Sequence, residues 1–163
     1  NIYSDIAAKH LLYSRLVDTV YFGDSYASDD ELGTVGNINK DVIELGIVLF
    51  NNITQKEMDI ILSTEHTNRP DASGYIFRSL ESRKYANIGS PIEPNNCISR
   101  NAYCLTVDNK KFMRYSGELQ ICLNELPQDN RVNVVGYIEE NSRILTDYIK
   151  PGCRVRFKLI KTI

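Results

Sequence analysis

Short apolar runs dominate the middle and end of the chain. Residues 45–50 are continuously apolar apart from Gly46, and residues 75–80, 102–107, 119–123 and 132–138 are rich in branched and aromatic side chains. Such residues suit a pleated, half-buried surface. Near the C-terminus Val155, Phe157 and Leu159 alternate with Arg154, Arg156 and Lys158. That two-residue period belongs to a strand with one face in the core and one in water. Residues 17–22 predict one more strand. Helical spacing is rarer. Ala8, Leu11, Leu12, Arg15 and Leu16, at helical spacing, predict a helix that begins near Ser4 and Asp5. A second helix follows Thr54, because Thr54 and Glu57 match the reciprocal cap in which hydroxyl and carboxylate each satisfy a free backbone N–H; Met58, Ile61 and Leu62 form its apolar stripe. A third covers residues 142–149, with Ile144, Leu145 and Tyr148 inward and Pro151-Gly152 ending it. Many short strands with few helices predict a mainly β domain, an antiparallel barrel or sandwich.

Polar stretches punctuate these elements. Residues 24–39, DSYASDDELGTVGNIN, read as an exposed acidic loop. Residues 66–73, with Pro70, and residues 87–101, with Gly89, Pro91 and Pro94, read as irregular. The length of 163 residues allows one well-buried core. Hydrophobic residues at 42% and charged residues at 25% are ordinary for a soluble domain. With 19 Lys and Arg against 21 Asp and Glu, the net charge of −2 argues against a strongly basic nucleic-acid binder and a polyacidic tail. No apolar run approaches the roughly 20 residues of a membrane helix, and no signal peptide is evident. The chain opens on Asn1, so it reads as one module of a larger intracellular protein.

The candidate chemistry is sparse. Cys97, Cys104, Cys122 and Cys153 form no CxxC pair, and His10 and His66 lie far from them. No metal or cofactor is therefore expected, and the cysteines read as small buried hydrophobes. Asp29, Asp30 and Glu31 lack a glycine-spaced cation loop, and Gly33, Gly36 and Gly46 make no phosphate loop. His10 reads as structural or exposed, and His66 as part of a polar loop. Asn52-Ile53-Thr54 is a formal glycosylation triplet, but Thr54 already has its capping role. Arg83 and Lys84, then Lys110, Lys111 and Arg114, are interleaved with Tyr85, Phe112 and Tyr115. This pattern fits a solvated turn, a seat for an acidic or phosphorylated peptide, or an RNA contact.

The order of elements resembles that of the cyclophilins, the peptidyl-prolyl isomerase family. Glu44-Leu45-Gly46-Ile47-Val48-Leu49-Phe50 and the capped helix after it are similar to the family's opening. Tyr75-Ile76-Phe77-Arg78-Ser79-Leu80 is similar to the family's Phe-His-Arg strand, and Leu105-Thr106-Val107-Asp108-Asn109 to its Leu-Ser-Met-Ala-Asn. Gly117-Glu118-Leu119-Gln120-Ile121 falls on Ser-Gln-Phe-Phe-Ile, and the run from Asp129 to Ile138 on Asp-Gly-Lys-His-Val-Val-Phe-Gly-Lys-Val. The resemblance implies a closed antiparallel barrel of about eight strands, capped by two helices, over residues 44–163. Residues 1–43 would be an extension with an extra helix, packed on the barrel as one globular unit.

The resemblance also implies a proline groove in which Arg78 would be the catalytic arginine. The groove departs from the pattern elsewhere. Phe77 replaces a histidine, Arg83 an aromatic pocket wall and Ala86 a glutamine; Asn87 and Ile88 replace glycines. Asp108 replaces an alanine, Asn109 keeps an asparagine, Glu118 replaces a glutamine and Gln120 a phenylalanine floor. Pro127 and Gln128 stand near a Trp-Leu pair, and Val132 at a histidine. A pyrrolidine ring wants an apolar cup, and each unpaired polar group buried there costs about 1–3 kcal/mol. Glu118 or Asp108 would pair with Arg78 and hold it off a substrate. The reading is an inactive interaction module for a protein or peptide, through Arg78, Arg83, Asp108, Asn109, Glu118 and Gln120 or through the N-terminal extension. The alternatives are a weak isomerase using Arg78 and RNA binding through the basic turn.

Overall fold

The computed structural model describes residues 3–23, 26–85 and 89–163, with the Arg83 side chain outside them. The helices are α1 (Ser4–Tyr13), α2 (Asp29–Gly36) and α3 (Gln55–Leu62). The strands are β1 (Val42–Leu49), β2 (His66–Thr67), β3 (Ile76–Arg78), β4 (Cys104–Asp108), β5 (Leu119–Cys122), β6 (Val132–Ile138) and β7 (Arg154–Thr162). Short 3-10 segments cover Ser82–Tyr85, Lys110–Tyr115 and Glu140–Tyr148.

The strands form one sheet in the order β2-β7-β1-β6-β4-β5-β3. Its two edges meet. Asn68, just past β2, bridges Ser79, just past β3. The Arg69 N–H donates to the Arg78 carbonyl and the Leu80 N–H to the Thr67 carbonyl, both at 2.9 Å. The sheet is thus nearly closed into a barrel, as expected, but the details differ. Among the described residues there are seven strands rather than about eight, and the sheet is mixed because β1 and β7 run parallel. The alternation of the last strand fixes which face it buries, not the direction of its neighbour.

Strand parity places the core. Leu45, Ile47 and Leu49 of β1, Phe77 of β3, Leu105 and Val107 of β4, Leu119 and Ile121 of β5, and Val155 of β7 have no exposed surface. They pack with Ile60 and Ile61 of α3 and with Leu145. The cap of α3 forms as its sequence predicts. Thr54 Oγ1 accepts from the Glu57 N–H at 3.2 Å, and Glu57 Oε2 accepts from the Thr54 N–H at 2.8 Å. Glu57 Oε1 also accepts from Asn133 Nδ2 at 2.9 Å, which fastens the helix start to β6.

Several local expectations are corrected. Residues 17–22 belong to no strand, and Tyr21 is largely exposed. Residues 24–39 contain α2 instead of a continuous loop; Asp24 and Ser25 lie outside the described residues. Ser28 and Glu31 close a capping box there, and Asp29, Asp30 and Glu31 fill the first turn, where the helix dipole favours negative charge. The helix expected over residues 142–149 is the 3-10 segment Glu140–Tyr148, capped by the Glu139 carboxylate on the Ser142 N–H. His66 is fully buried in β2, its ring between Ser79 Oγ at 2.9 Å and the Ile61 carbonyl at 3.0 Å. Burial pushes its pKa below the ordinary value. Cys104 and Cys122 are buried in the sheet, and all four cysteines are free thiols. Among the described residues no helix is long and apolar enough to cross a membrane.

Helix α1 is fastened to β1 by polar anchors. Tyr13 Oη donates to the Val42 carbonyl at 2.9 Å and accepts from the Glu44 N–H at 3.2 Å. Lys9 Nζ reaches Asp5 at 3.0 Å and Glu44 at 3.1 Å. His10 Nδ1 and Tyr148 Oη are 2.8 Å apart.

One glycine is indispensable to the pairing of β1 with β6. A Cβ on Gly136 would lie 2.1 Å from the Val48 carbonyl oxygen and 2.9 Å from Leu49 Cα. Backbone cannot yield to that clash without separating the strands. Gly136→Ala is expected to destabilise the chain by more than about 2 kcal/mol, read as a shift of the urea unfolding midpoint; an unchanged midpoint would refute this packing.

Candidate functional site

The outward face of β3, β4 and β5 is apolar at one end, around Cys104 and Cys122, and polar yet largely buried at the other. Arg78 stands opposite Gln120, and Gln120 opposite Thr106. Because side chains alternate along a strand, Thr106, Asp108, Glu118 and Gln120 share the face turned away from Leu105, Val107, Leu119 and Ile121. Thr106 and Glu118 have no exposed surface and Asp108 has almost none.

Glu118 organises this face. Its Oε1 accepts from Arg78 Nε at 2.6 Å, and its Oε2 from Arg69 Nη1 at 3.3 Å. Arg69 in turn grips Asp71 with Nε at 2.8 Å and Nη2 at 2.6 Å, a fork-to-carboxylate geometry that fixes the guanidinium plane. Gln120 Nε2 lies between two carboxyls, 3.4 Å from Glu118 Oε1 and 3.3 Å from Asp108 Oδ2. The Arg78 backbone is fixed as well, its N–H donating to Asn68 Oδ1 at 3.1 Å.

Asp108 Oδ1 and Thr106 Oγ1 are buried without a hydrogen-bond partner. Burial, then the Glu118 carboxylate, push the Asp108 pKa up to about 8, against the pull of the Arg78 and Arg100 cations. At neutral pH Asp108 is therefore a neutral acid, with an O–H to donate rather than a charge.

The sequence-derived candidates divide into two groups. Arg78, Asp108, Glu118 and Gln120 come together. Asn109 lies beside them but is engaged elsewhere: its Oδ1 accepts from the Lys111 N–H at 3.0 Å, and its Nδ2 donates to the Asn130 carbonyl at 3.1 Å and to Asn133 Oδ1 at 2.9 Å. Arg83 is in the Ser82–Tyr85 turn, its side chain outside the described residues, as are Ala86, Asn87 and Ile88. The basic turn is largely self-engaged. Lys110 pairs with Glu93 at 2.6 Å, the Arg114 guanidinium lies 4.9 Å from the centre of the Tyr115 ring, and that of Arg131 lies 4.3 Å from the centre of Phe112. Lys111 is exposed. Sequence reading missed Arg69, Asp71 and Thr106. The Arg-x-Asp spacing of the first two was the available signal, inside a stretch read only as irregular.

Asp108 makes a pH-dependent contribution with a definite sign. Its pKa is about 8 in the folded chain against an ordinary 3.8. Between those values the native state holds the extra proton, so this group's contribution to stability falls as pH rises, by up to about 1.4 kcal/mol per pH unit. Asp108→Asn, shaped like the protonated acid, is expected to gain stability relative to wild type between about pH 5 and 8 in urea unfolding. Parallel stability profiles would show instead that Asp108 ionises normally.

The comparisons revise the family. A family model described as "6-phospho-N-acetylmuramidase, C-terminal" matches residues 43–158. The chain is similar to the crystal structure of an uncharacterized B. cereus protein, with 32% identity, a TM-score of 0.87, and coverage of 94% of this chain and 44% of that one. It is also similar to a conserved Enterococcus faecalis protein of unknown function, with 27% identity, a TM-score of 0.72, and coverage of 96% and 41%. The chain thus spans less than half the length of these solved structures. No curated protein matches it. The cyclophilin resemblance is overturned by the family match, and with it the inactive interaction module, the weak isomerase and the RNA-binding reading. Of these readings the geometry bears on the weak isomerase alone: Glu118 holds the Arg78 Nε, and Gln120 and Asp108 make the neighbouring face polar. The match covers most of the chain, and the chain belongs to the 6-phospho-N-acetylmuramidase C-terminal family.

Proposed function

We propose that this chain is the C-terminal part of a glycosidase that cleaves glycosides of 6-phosphorylated N-acetylmuramic acid, and that its arginine-bearing outer face borders the sugar site. The match over residues 43–158 carries this reading. The polar face is consistent with it, since a phosphorylated, acidic sugar is recognised by fixed guanidinium groups.

Glycoside hydrolysis needs two carboxyl groups flanking the scissile bond, commonly about 5–5.5 Å apart in retaining enzymes and about 6.5–9.5 Å in inverting ones, with the sugar between them. Asp108 and Glu118 do not offer that arrangement. Both are sealed from solvent, and the Gln120 amide sits between them. In this reading they shape the face, and the hydrolytic carboxyls lie in the rest of the enzyme.

Two measurements test the proposal on the whole protein that carries this chain. It is expected to release 6-phospho-N-acetylmuramic acid from its glycosides. Failure to turn over the phosphorylated substrate while cleaving the unphosphorylated one would refute the reading. Asp108→Asn is expected to keep kcat within about threefold of wild type, because removing a true general acid costs about a hundredfold or more.

A further inference from the structure

We propose that Arg78 is the anion-binding residue of this face, its terminal Nη groups taking a two-oxygen edge of the phosphate or the lactyl carboxylate of the muramyl unit. The inference rests on the functional reading above and deepens it.

Arg69 and Arg78, both of which reach Glu118, are not equivalent. Arg69 engages all three of its nitrogens, two on Asp71 and one on Glu118. Arg78 spends only Nε, on Glu118, and among the described residues its Nη groups have no hydrogen-bond partner. Its side chain is 26% exposed, against 15% for Arg69 and none for Glu118. A guanidinium gripped from behind through Nε keeps a planar pair of donors at its terminus, the shape that matches a carboxylate or phosphate edge. It sits on a strand with its backbone N–H tied to Asn68, so its position is set before a ligand arrives.

The local charge favours an anion. Arg69 and Arg78 face Asp71 and Glu118, and Arg100 adds a further cation near enough to act on Asp108. Asp108, its pKa pushed up to about 8, adds little negative charge at neutral pH. Asp129, which also acts on Asp108, is held by Arg131 at 2.7 Å. The balance leaves an excess of positive charge beside a half-buried fork, where an ion pair is stronger than in open water.

The test uses the whole protein and Arg78→Lys, which keeps the charge toward Glu118 but removes the fork. Three substrates separate the sources: the 6-phosphomuramyl glycoside, its unphosphorylated form, and a 6-phospho-N-acetylglucosaminyl glycoside without the lactyl group. KM for the first is expected to rise at least tenfold, with a smaller change in kcat. If the rise disappears without the phosphate, Arg78 reads phosphate; if it disappears without the lactyl group, it reads the carboxylate. An unchanged KM on all three overturns the proposal. Should the wild type cleave none of them, the glycosidase reading falls, and inorganic phosphate followed through the arginine Nε–H resonances decides on Arg78 alone. Saturable shifts that Arg78→Lys abolishes support the site; no shifts, or equal shifts in both proteins, refute it. A melting temperature close to wild type establishes that the variant is folded, and Arg78→Gln provides a second, charge-free comparison.

Discussion

A carboxylate with no exposed surface is costly unless hydrogen bonds and opposite charge surround it. Glu118 meets that condition with Arg78 on one oxygen and Arg69 on the other. Much of the outer face follows from this constraint. Gln120 takes an orientation that serves Glu118 and Asp108 together, and Asp108, crowded by a second carboxyl in a dry place, keeps its proton. Removing either arginine would take an opposite charge away from a buried carboxylate, so the arginines have a structural reason to stay where they are. That same restraint keeps the terminus of Arg78 in a fixed place.

The barrel supplies the rigidity that such a face requires. Leu105, Val107, Leu119 and Ile121 lock β4 and β5 from the inside while Thr106, Asp108, Glu118 and Gln120 occupy the outside. A small shift of either strand would move both sets at once. The helices are attached by specific polar anchors as well as by packing. Glu57 joins the start of α3 to Asn133, and Tyr13 joins α1 to the backbone of β1.

Much of the architecture was legible where a local rule sufficed. The Thr54–Glu57 cap, the continuous run of β1 and the alternation of Val155 and Phe157 each have a short-range physical cause, and each forms. The pairing of Glu118 with Arg78 was anticipated only as one of two alternatives, Glu118 or Asp108, through the cyclophilin resemblance and not through a local rule. Non-local facts were not legible. Nothing along β1 or β7 announces that they run side by side in the same direction. Helix α2 was hidden by its glycines and aspartates, although Ser28 and Glu31 carried the cap signal. His66 was placed in a loop because its neighbours are polar, yet Ser79 and Ile61 accommodate its ring in the interior. The order of short strands misled most. Such an order is compatible with more than one lineage, and only residue-level matching over 43–158 separated them.

The junction between β2 and β3 has a mechanical consequence. Everywhere else the hoop of strands is held by longer ladders, whereas here β2 contributes two residues, β3 three, and a single bridge joins Asn68 to Ser79. A ring under thermal strain parts at its thinnest seam. Partial opening therefore starts between residues 67–69 and 78–80, and their amide protons exchange with solvent ahead of those in the long β1–β7 ladder. Arg78 lies on that seam, so the arginine that is more exposed than Arg69 also sits where the ring yields first.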